Sequence, residues 1–211
     1  MNDRLVQRFY TDVLLPRIRD DIAEYKRLNY HLFQAVRKAM FKPGAFFKGL
    51  VLPLAESDSC TLRESVVLGS IIEKASLPML HVAVALYILC HGQDSGRVPG
   101  DSRTLVRQFS GARSVFIRVL LQKRYKFPYK VVNAAHDHFM RFALIANDDG
   151  KPIRMPVIFH QAMLCFVSNF AQDLNKEQLK AWTDTASGLT NLVPHEAIAH
   201  EIKQIIETPI P

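Results

Sequence analysis

The sequence has few cysteines and no long apolar run. Its only three cysteines, Cys60, Cys90 and Cys165, are widely spaced. Such a set forms neither a disulfide framework nor the paired ligands of a zinc site, which indicates a reducing compartment. The longest apolar stretch, residues 77–90, is shorter than the roughly 20 residues needed to cross a bilayer, so it predicts a buried helix. Charged side chains interrupt the N-terminal residues, which is unlike a secretory signal.

Motifs for nucleotide or metal chemistry are also missing. Neither G-x-x-x-x-G-K-[ST] nor G-x-G-x-x-G occurs, so no phosphate cradle is predicted. His136 and His138 are two residues apart and point to different sides of a helix, unlike the i, i+4 pair of a zinc protease. The adjacent Cys90 and His91 leave thiol catalysis as an alternative. We therefore expect no metal, no cofactor and no enzymatic activity.

No segment shows the sustained alternation of a β-strand, whereas helix signals are frequent. Prolines suited to a first helical turn recur at positions 16, 43, 78, 128, 156 and 194. Thr61 and Glu64 fit a capping box ahead of an apolar run, so Glu64 is predicted to support folding, and Glu64→Gln to retain most stability. The predicted helices are 4–15, 16–28, 29–41, 44–52, 61–75, 78–91, 103–109, 112–124, 128–143, 155–172, 175–187 and 195–206.

The fold class that follows is all-α: an irregular HEAT-like helical solenoid of antiparallel helix pairs. Short connections between many helices favour antiparallel neighbours, and the 211 residues suit a single domain, 1–211. Residues 92–102 are rich in Gly, Ser, Asp and Pro, which predicts an exposed loop that tolerates shortening.

Positive charge dominates and is unevenly distributed. The net charge is +7 and the isoelectric point is about 9.4, a balance that favours an acidic partner such as nucleic acid. Residues 1–50 carry a net +5 and residues 97–130 a net +8, while residues 51–96 and 131–211 each carry −3. A block as basic as 97–130 repels itself unless an acidic partner neutralises it.

Aromatic residues are interleaved with the basic ones in segments 41–49 and 118–130. Basic groups can neutralise phosphates, and exposed aromatics can stack on unpaired bases. The alternative is that the aromatics are core and the basic side chains surround them, which we favour for Phe46 and Phe47. The candidate RNA-binding residues are Arg27, Arg37, Lys38, Lys42, Arg113, Arg118, Lys123, Arg124, Lys126 and Lys130.

A group of carboxylates, Asp20, Asp21 and Glu24, could suggest acid–base chemistry. Basic neighbours stand beside them on the same predicted helix. These neighbours are Arg17, Arg19, Lys26 and Arg27. Charge pairing on a helix surface therefore explains this group better than catalysis does.

Four long segments, 14–49, 60–72, 77–81 and 110–132, resemble the conserved domain of the bystin family. The resemblance runs in order along most of the chain. It implies an α-helical, HEAT-like fold without catalytic activity, and a role in maturation of the small-subunit ribosomal RNA precursor. The implied partners are that RNA, small-subunit ribosomal proteins and other assembly factors, and no membrane. The implied location is the nucleolus and nucleus, with later cytoplasmic pre-ribosomal particles.

Two features depart from the family pattern. Bystins usually carry a long, charged, low-complexity N-terminal region that these residues do not include, and 92–102 is longer than the family's connection. The competing function is a protein-interaction adaptor of the cell-adhesion-complex type, without RNA binding. The charge block separates the two hypotheses. Changing Lys123, Arg124, Lys126 and Lys130 to Ala should weaken RNA binding and, since all four are predicted to be exposed, change stability little.

Overall fold

All regular structure in the described residues is helical. The structure is a computed structural model that describes residues 2–91, 109–143, 155–189 and 196–207. No strand occurs within these ranges, which confirms the predicted all-α class. The expected loop at 92–102 and most of the predicted helix 103–109 lie outside the described residues.

The helices follow the predicted order, with shifted bounds. In the first half they are α1 Asp3–Phe9, α2 Leu15–Tyr25, α3 Tyr30–Ala39, α4 Pro43–Phe46, α5 Leu52–Glu56, α6 Leu62–Lys74 and α7 Met79–His91. In the second half they are α8 Gly111–Leu121, α9 Tyr129–Ala143, α10 Val157–Phe170, α11 Lys176–Leu189 and α12 Glu196–Glu207. A 3₁₀ turn, Ala171–Asp173, extends α10.

The predicted boundary at Pro16 is wrong, because α1 continues into α2 through a π-helical segment, Tyr10–Leu14. A second π segment, Phe47–Val51, joins α4 to α5 just before Pro53. In a regular α-helix the proline ring clashes with the carbonyl four residues earlier. The wider π turn relieves this clash, so each proline follows a π segment within a continuous helix.

The two π segments pack against each other at Gly49. The hydroxyl of Thr11 lies 3.1 Å from the carbonyl oxygens of both Gln7 and Gly49 and shares its single hydrogen between them. A Cβ atom at Gly49 would lie 2.8 Å from the Gln7 oxygen and 2.9 Å from the Cβ of Tyr10. Both obstacles belong to or adjoin the backbone, so they cannot move aside as a flexible side chain would. Glycine is therefore required for this close approach.

We expect Gly49→Ala to lower the free energy of unfolding by about 2 kcal/mol, since the added methyl group overpacks a helix crossing. Urea unfolding monitored by circular dichroism measures the loss. Gly44→Ala is the matched control, because a Cβ there would meet only the flexible His81 side chain, at 3.4 Å. The control should be neutral or slightly stabilising, as Ala favours helices. Equal unfolding midpoints for the two variants would contradict the close-approach argument.

The helices from α6 onward pack in two series. α6 packs against α8, α8 against α10, and α10 against α12. In the other series α7 packs against α9 and α9 against α11. Because helices alternate between the series, the links α6–α7 and α8–α9 lie beside each other. This proximity places the connection after α8, which carries three of the ten predicted RNA-binding residues, against the end of α6.

The capping box at the start of α6 is confirmed. Thr61 accepts from the backbone N–H of Glu64, and the Glu64 carboxylate accepts from the backbone N–H of Thr61 at 2.6 Å. Glu64 is 5% exposed and also accepts from Arg19 Nε at 2.7 Å. Hence this carboxylate fastens α2 to α6 as well as capping α6.

Candidate nucleic-acid interface

Three side chains hold the connection between α8 and α9, residues 122–128, in place. Lys123 Nζ donates to the carbonyl of Glu73 at 2.7 Å and also to that of Ala75. The hydroxyl of Tyr125 donates to the carbonyl of Leu77 at 2.9 Å. Phe127 is buried and stacks on a phenylalanine of α10. The connection is therefore anchored along the segment 73–77.

Lys123 is not exposed, although the sequence predicted an exposed side chain here. It is half-buried, and its ammonium occupies the C-terminal end of α6, where backbone carbonyls have no partner within the helix. Burial lowers its pKa, although the Glu73 carboxylate opposes this shift. Its role in the structure is that of a helix cap.

We expect Lys123→Met to lower the free energy of unfolding by about 1.5 kcal/mol, because carbonyls lose a charged donor. Lys126→Met is the control, since Lys126 is exposed three residues further on and should be neutral. Thermal unfolding of both variants measures the difference. Two identical melting temperatures would show that the ammonium contributes nothing to the end of α6.

Arg113 and Arg118 are half-buried on α8. The guanidinium of Arg118 donates to the side chain of Gln161 on α10 at 3.1 Å. The Nε atoms of both arginines are buried and have no hydrogen-bond partner in the described part of the chain. These two predicted RNA ligands are thus less accessible than a charge count suggests.

The basic residues left at the surface form what we call the 124–130 patch: Arg124, Lys126, Tyr129 and Lys130. All four are exposed, and Tyr129 is 71% exposed. Arg124 has a left-handed backbone conformation with φ 52°, and the chain leaves the helical direction of α8 at this residue. Of the aromatic residues in this segment, only Tyr129 is exposed enough to stack on a base.

Arg27 and Arg37, from the other group of predicted RNA-binding residues, lie near opposite ends of α6. Arg37 lines a groove together with Lys74, in the last turn of α6. Arg27 instead follows Lys26, whose carbonyl accepts from Arg63 in the first turn of α6. At 1.5 Å per residue those turns are roughly 16 Å apart. Arg37 therefore lies nearer the segment 73–77, and no described contact brings Arg27 there.

The other residues of this block divide between the core and the surface. Phe46 and Phe47 are core residues, as expected, whereas Phe41 is 87% exposed. Lys38 is exposed. Lys42 is half-buried and forms an ion pair with Asp3 at 2.5 Å. Hence Arg37 and Lys38 offer more accessible charge than Lys42.

The sequence did not indicate two further basic residues at the ends of α6, Arg63 and Lys74. They belong to residues 51–96, which carry a net negative charge. A count over segments therefore hid them. Helical spacing alone does not show which residues of another helix stand beside them.

The carboxylate group on α2 does not form the expected pairs. No ion pair among the described residues joins Asp20, Asp21 or Glu24 to the basic residues around them. Instead, Asp21 accepts from the backbone N–H of Asn29 at 2.6 Å. Arg19 turns away to Glu64. Asp21 thus stabilises the turn after α2, Glu24 bonds to the side chain of Tyr25, and Arg19 joins α2 to α6.

The thiols are not activated for nucleophilic chemistry. Burial raises the pKa of Cys60 to about 11 and that of Cys165 to about 11, and it raises the pKa of Cys90 as well. Burial lowers the pKa of His138 to about 3, and its ring donates to the carbonyl of Cys90 at 3.2 Å. A thiolate is therefore disfavoured at each position. The described ranges contain no cluster of three metal-ligating side chains.

The molecule is thus an all-helical protein with an exposed basic and aromatic surface. No helix in the described ranges combines the length and apolarity needed to span a membrane. A family model described as Bystin matches residues 1–209. This chain belongs to the Bystin family, which confirms the resemblance seen in the sequence.

Similar proteins named Bystin occur in distant organisms. The one from Bos taurus is 42% identical over 211 residues, which cover all of this chain and 43% of the relative. The one from Monosiga brevicollis is 44% identical over 204 residues, covering 97% of this chain and 43% of the relative. The one from Homo sapiens is 41% identical over 211 residues, again all of this chain and 43% of the relative. The chain spans less than half the length of these curated relatives.

Proposed function

We propose that this chain is a non-catalytic ribosome biogenesis factor. It binds precursor ribosomal RNA and proteins of the immature small subunit, and it supports rRNA processing and subunit maturation. The observation that carries this proposal is the 124–130 patch, where three exposed cations and an exposed tyrosine fall within seven residues of the chain. Cations so close repel one another and gain most from a polyanionic partner.

The composition of the patch favours single-stranded RNA. Lysine and arginine neutralise phosphates irrespective of sequence, while an aromatic ring offers a stacking surface for an unpaired base. A duplex would bury its bases and leave Tyr129 without a stacking partner. Loops and unpaired stretches of the precursor are therefore the preferred ligand.

The wider proposal follows the family resemblance. The partners are small-subunit ribosomal proteins and other assembly factors, and the location is the nucleolus and nucleus with cytoplasmic pre-ribosomal particles. We also propose that the two helix series form a HEAT-like solenoid of antiparallel helix pairs. A solenoid offers extended surfaces, which suits a protein that contacts RNA and proteins together.

One observation favours a second candidate function, a protein-interaction adaptor that binds no RNA. The outer face of α7 exposes Leu80, Val84 and Tyr87 at helical spacing, and Leu80 is 68% exposed. Such an apolar stripe is typical of a protein partner. It fits an assembly factor equally well, because such a factor also binds proteins.

Crosslinking of the tagged chain to RNA in cells, followed by sequencing of the adducts, tests the proposed function. We expect adducts concentrated in the small-subunit precursor RNA. A variant in which Arg124, Lys126 and Lys130 are replaced by Gln should lose most of them. Recovery of no RNA, or mainly of messenger RNA, would favour the adaptor function instead.

A further inference from the structure

A groove between α3 and α6 has the size and composition of a small ligand site. Its volume is about 430 Å³, within the range of ligand pockets. Residues of α3, of α6 and of the turns that follow these two helices line it. Phe33, Met40 and Ile71 supply an apolar wall, and the exposed ring of Phe41 stands at the rim.

The charge of this groove distinguishes it from two other large cavities of the described structure. One cavity includes Glu56 and Asp58 in its lining, and another includes Asp20 and Glu64. The groove between α3 and α6 includes the cations Arg37 and Lys74 but no carboxylate among its described lining residues. Its occupant therefore combines an apolar or aromatic part with negative charge.

The cation on α3 is also preorganised. The guanidinium carbon of Arg37 lies 5.9 Å from the centroid of the Phe33 ring, over its face. Such a cation–π contact restrains a side chain that would otherwise sample many rotamers. It leaves the hydrogen-bond donors of the guanidinium available to a phosphate.

We propose that this groove binds one unpaired nucleotide of the RNA. Its base lies against the Phe41 ring and the apolar wall, and its phosphate pairs with Arg37 and Lys74. The hydroxyls of Ser70 and Ser76 can bond to the base edge or the ribose. This inference rests on the proposed RNA-binding function and names the place where a base is held.

The position of the groove supports a nucleotide over an acidic peptide. Ala75 forms part of the groove, and its carbonyl also accepts from Lys123, at the start of the connection that bears the 124–130 patch. The groove and the connection that bears the patch thus both adjoin the segment 73–77. One RNA strand that crosses this segment can meet the cations of both, which an isolated pocket for a peptide would not require.

Binding of a fluorescent single-stranded RNA of about ten nucleotides, a length that suits one small domain, tests the proposal. The probes are that RNA and the same backbone with its bases removed. Wild type should bind the intact RNA about a hundredfold more tightly than the abasic RNA, because stacking on both Phe41 and Tyr129 is lost. Phe41→Ala should weaken binding of the intact RNA about tenfold and leave the abasic affinity unchanged.

Tyr30→Ala is the matched control, since Tyr30 is a 68% exposed aromatic on α3 outside the groove. It should retain the wild-type preference for intact RNA. If Phe41→Ala also keeps that preference, the groove holds no nucleotide and its exposed ring serves a protein. If wild type binds neither RNA, the proposed function fails, and the nucleotide site fails with it. As a direct readout, photocrosslinking of RNA containing 4-thiouridine should give adducts on peptides containing Phe41.

Discussion

Replacing Arg124, Lys126 and Lys130 together with Gln is expected to weaken binding of unstructured precursor RNA by about tenfold to a hundredfold near 0.1 M salt. Each lost phosphate contact removes about 0.7 from the slope of log affinity against log salt for a single strand. Three contacts therefore flatten the slope by about 2. All three side chains are exposed, and Gln keeps much of their aliphatic stems, so the unfolding midpoint should not move.

The measurement is a salt titration of RNA affinity by fluorescence anisotropy. The matched control replaces Arg4, Arg8 and Arg17 with Gln, which removes the same charge from exposed positions on α1 and α2. The control should change the slope by less than about 0.5, because distant charges are screened. If the two variants lose affinity equally, only the overall charge of the protein matters and the 124–130 patch is not an RNA site. Lys123 is left intact, since its loss would mix a folding effect with a binding effect.

The second large effect is expected at Glu64, where Glu64→Ala should lower the free energy of unfolding by about 3 kcal/mol. The substitution removes the Glu64 half of the capping box, while Thr61 can still accept from the backbone N–H at position 64, and it leaves the Arg19 guanidinium without its carboxylate. It abolishes the 2.6 Å bond from the Thr61 N–H, the 2.8 Å bond from the Thr61 hydroxyl and the 2.7 Å bond from Arg19 Nε. Urea unfolding measures the change. Arg63→Ala, at an exposed neighbouring position, is the control and should change stability little.

Glu64→Gln separates the cap from the ion pair. Gln can close the capping box but carries no charge for Arg19, so we expect a loss of about 1 to 2 kcal/mol, more than the box alone predicts. Burial opposes ionisation of Glu64, yet hydrogen bonds from Thr61 and Arg19 outweigh it and lower its pKa. The stabilisation is therefore present above the ordinary carboxyl pKa and is lost as pH falls through the lowered one. The difference in stability between wild type and Glu64→Gln should shrink on acidification from about pH 5. A constant difference would mean that the charge of Glu64 is irrelevant.

Local signals predicted the helices well. The capping box at Thr61, the proline before α9 and the apolar face of α3 all depend on neighbours within one or two turns, so the sequence displays them directly. The boundary at Pro16 was wrong for a related reason. Proline was interpreted as a helix start, whereas a wide turn before it lets the helix continue.

The candidate interface was predictable as a charge block but not as a surface. Lys123 and Arg124 are adjacent in sequence, yet one caps α6 and the other faces solvent. Only the packing of the connection against the segment 73–77 determines which of the two side chains is buried and which is exposed. The same packing brings Lys74, from a net acidic segment, beside Arg37 from a basic one. Contacts between residues distant in sequence determine the groove, and no periodic pattern records them.

The π segments explain a spacing that an ordinary helix would not tolerate. Side chains packed inward on the first long helix recur every fourth residue, at Val6, Tyr10, Leu14, Ile18 and Ile22. With 3.6 residues per turn, four such steps would rotate the last side chain by roughly 160° from the first. One extra residue in the wide turn removes roughly 100° of that drift. The same four-residue spacing of buried side chains recurs at Phe46, Leu50 and Leu54 around the second π segment. Buried apolar side chains at every fourth residue ahead of a proline therefore indicate a widened turn in the sequence. Deleting one residue from that turn would rotate the buried face of one half of the helix toward water.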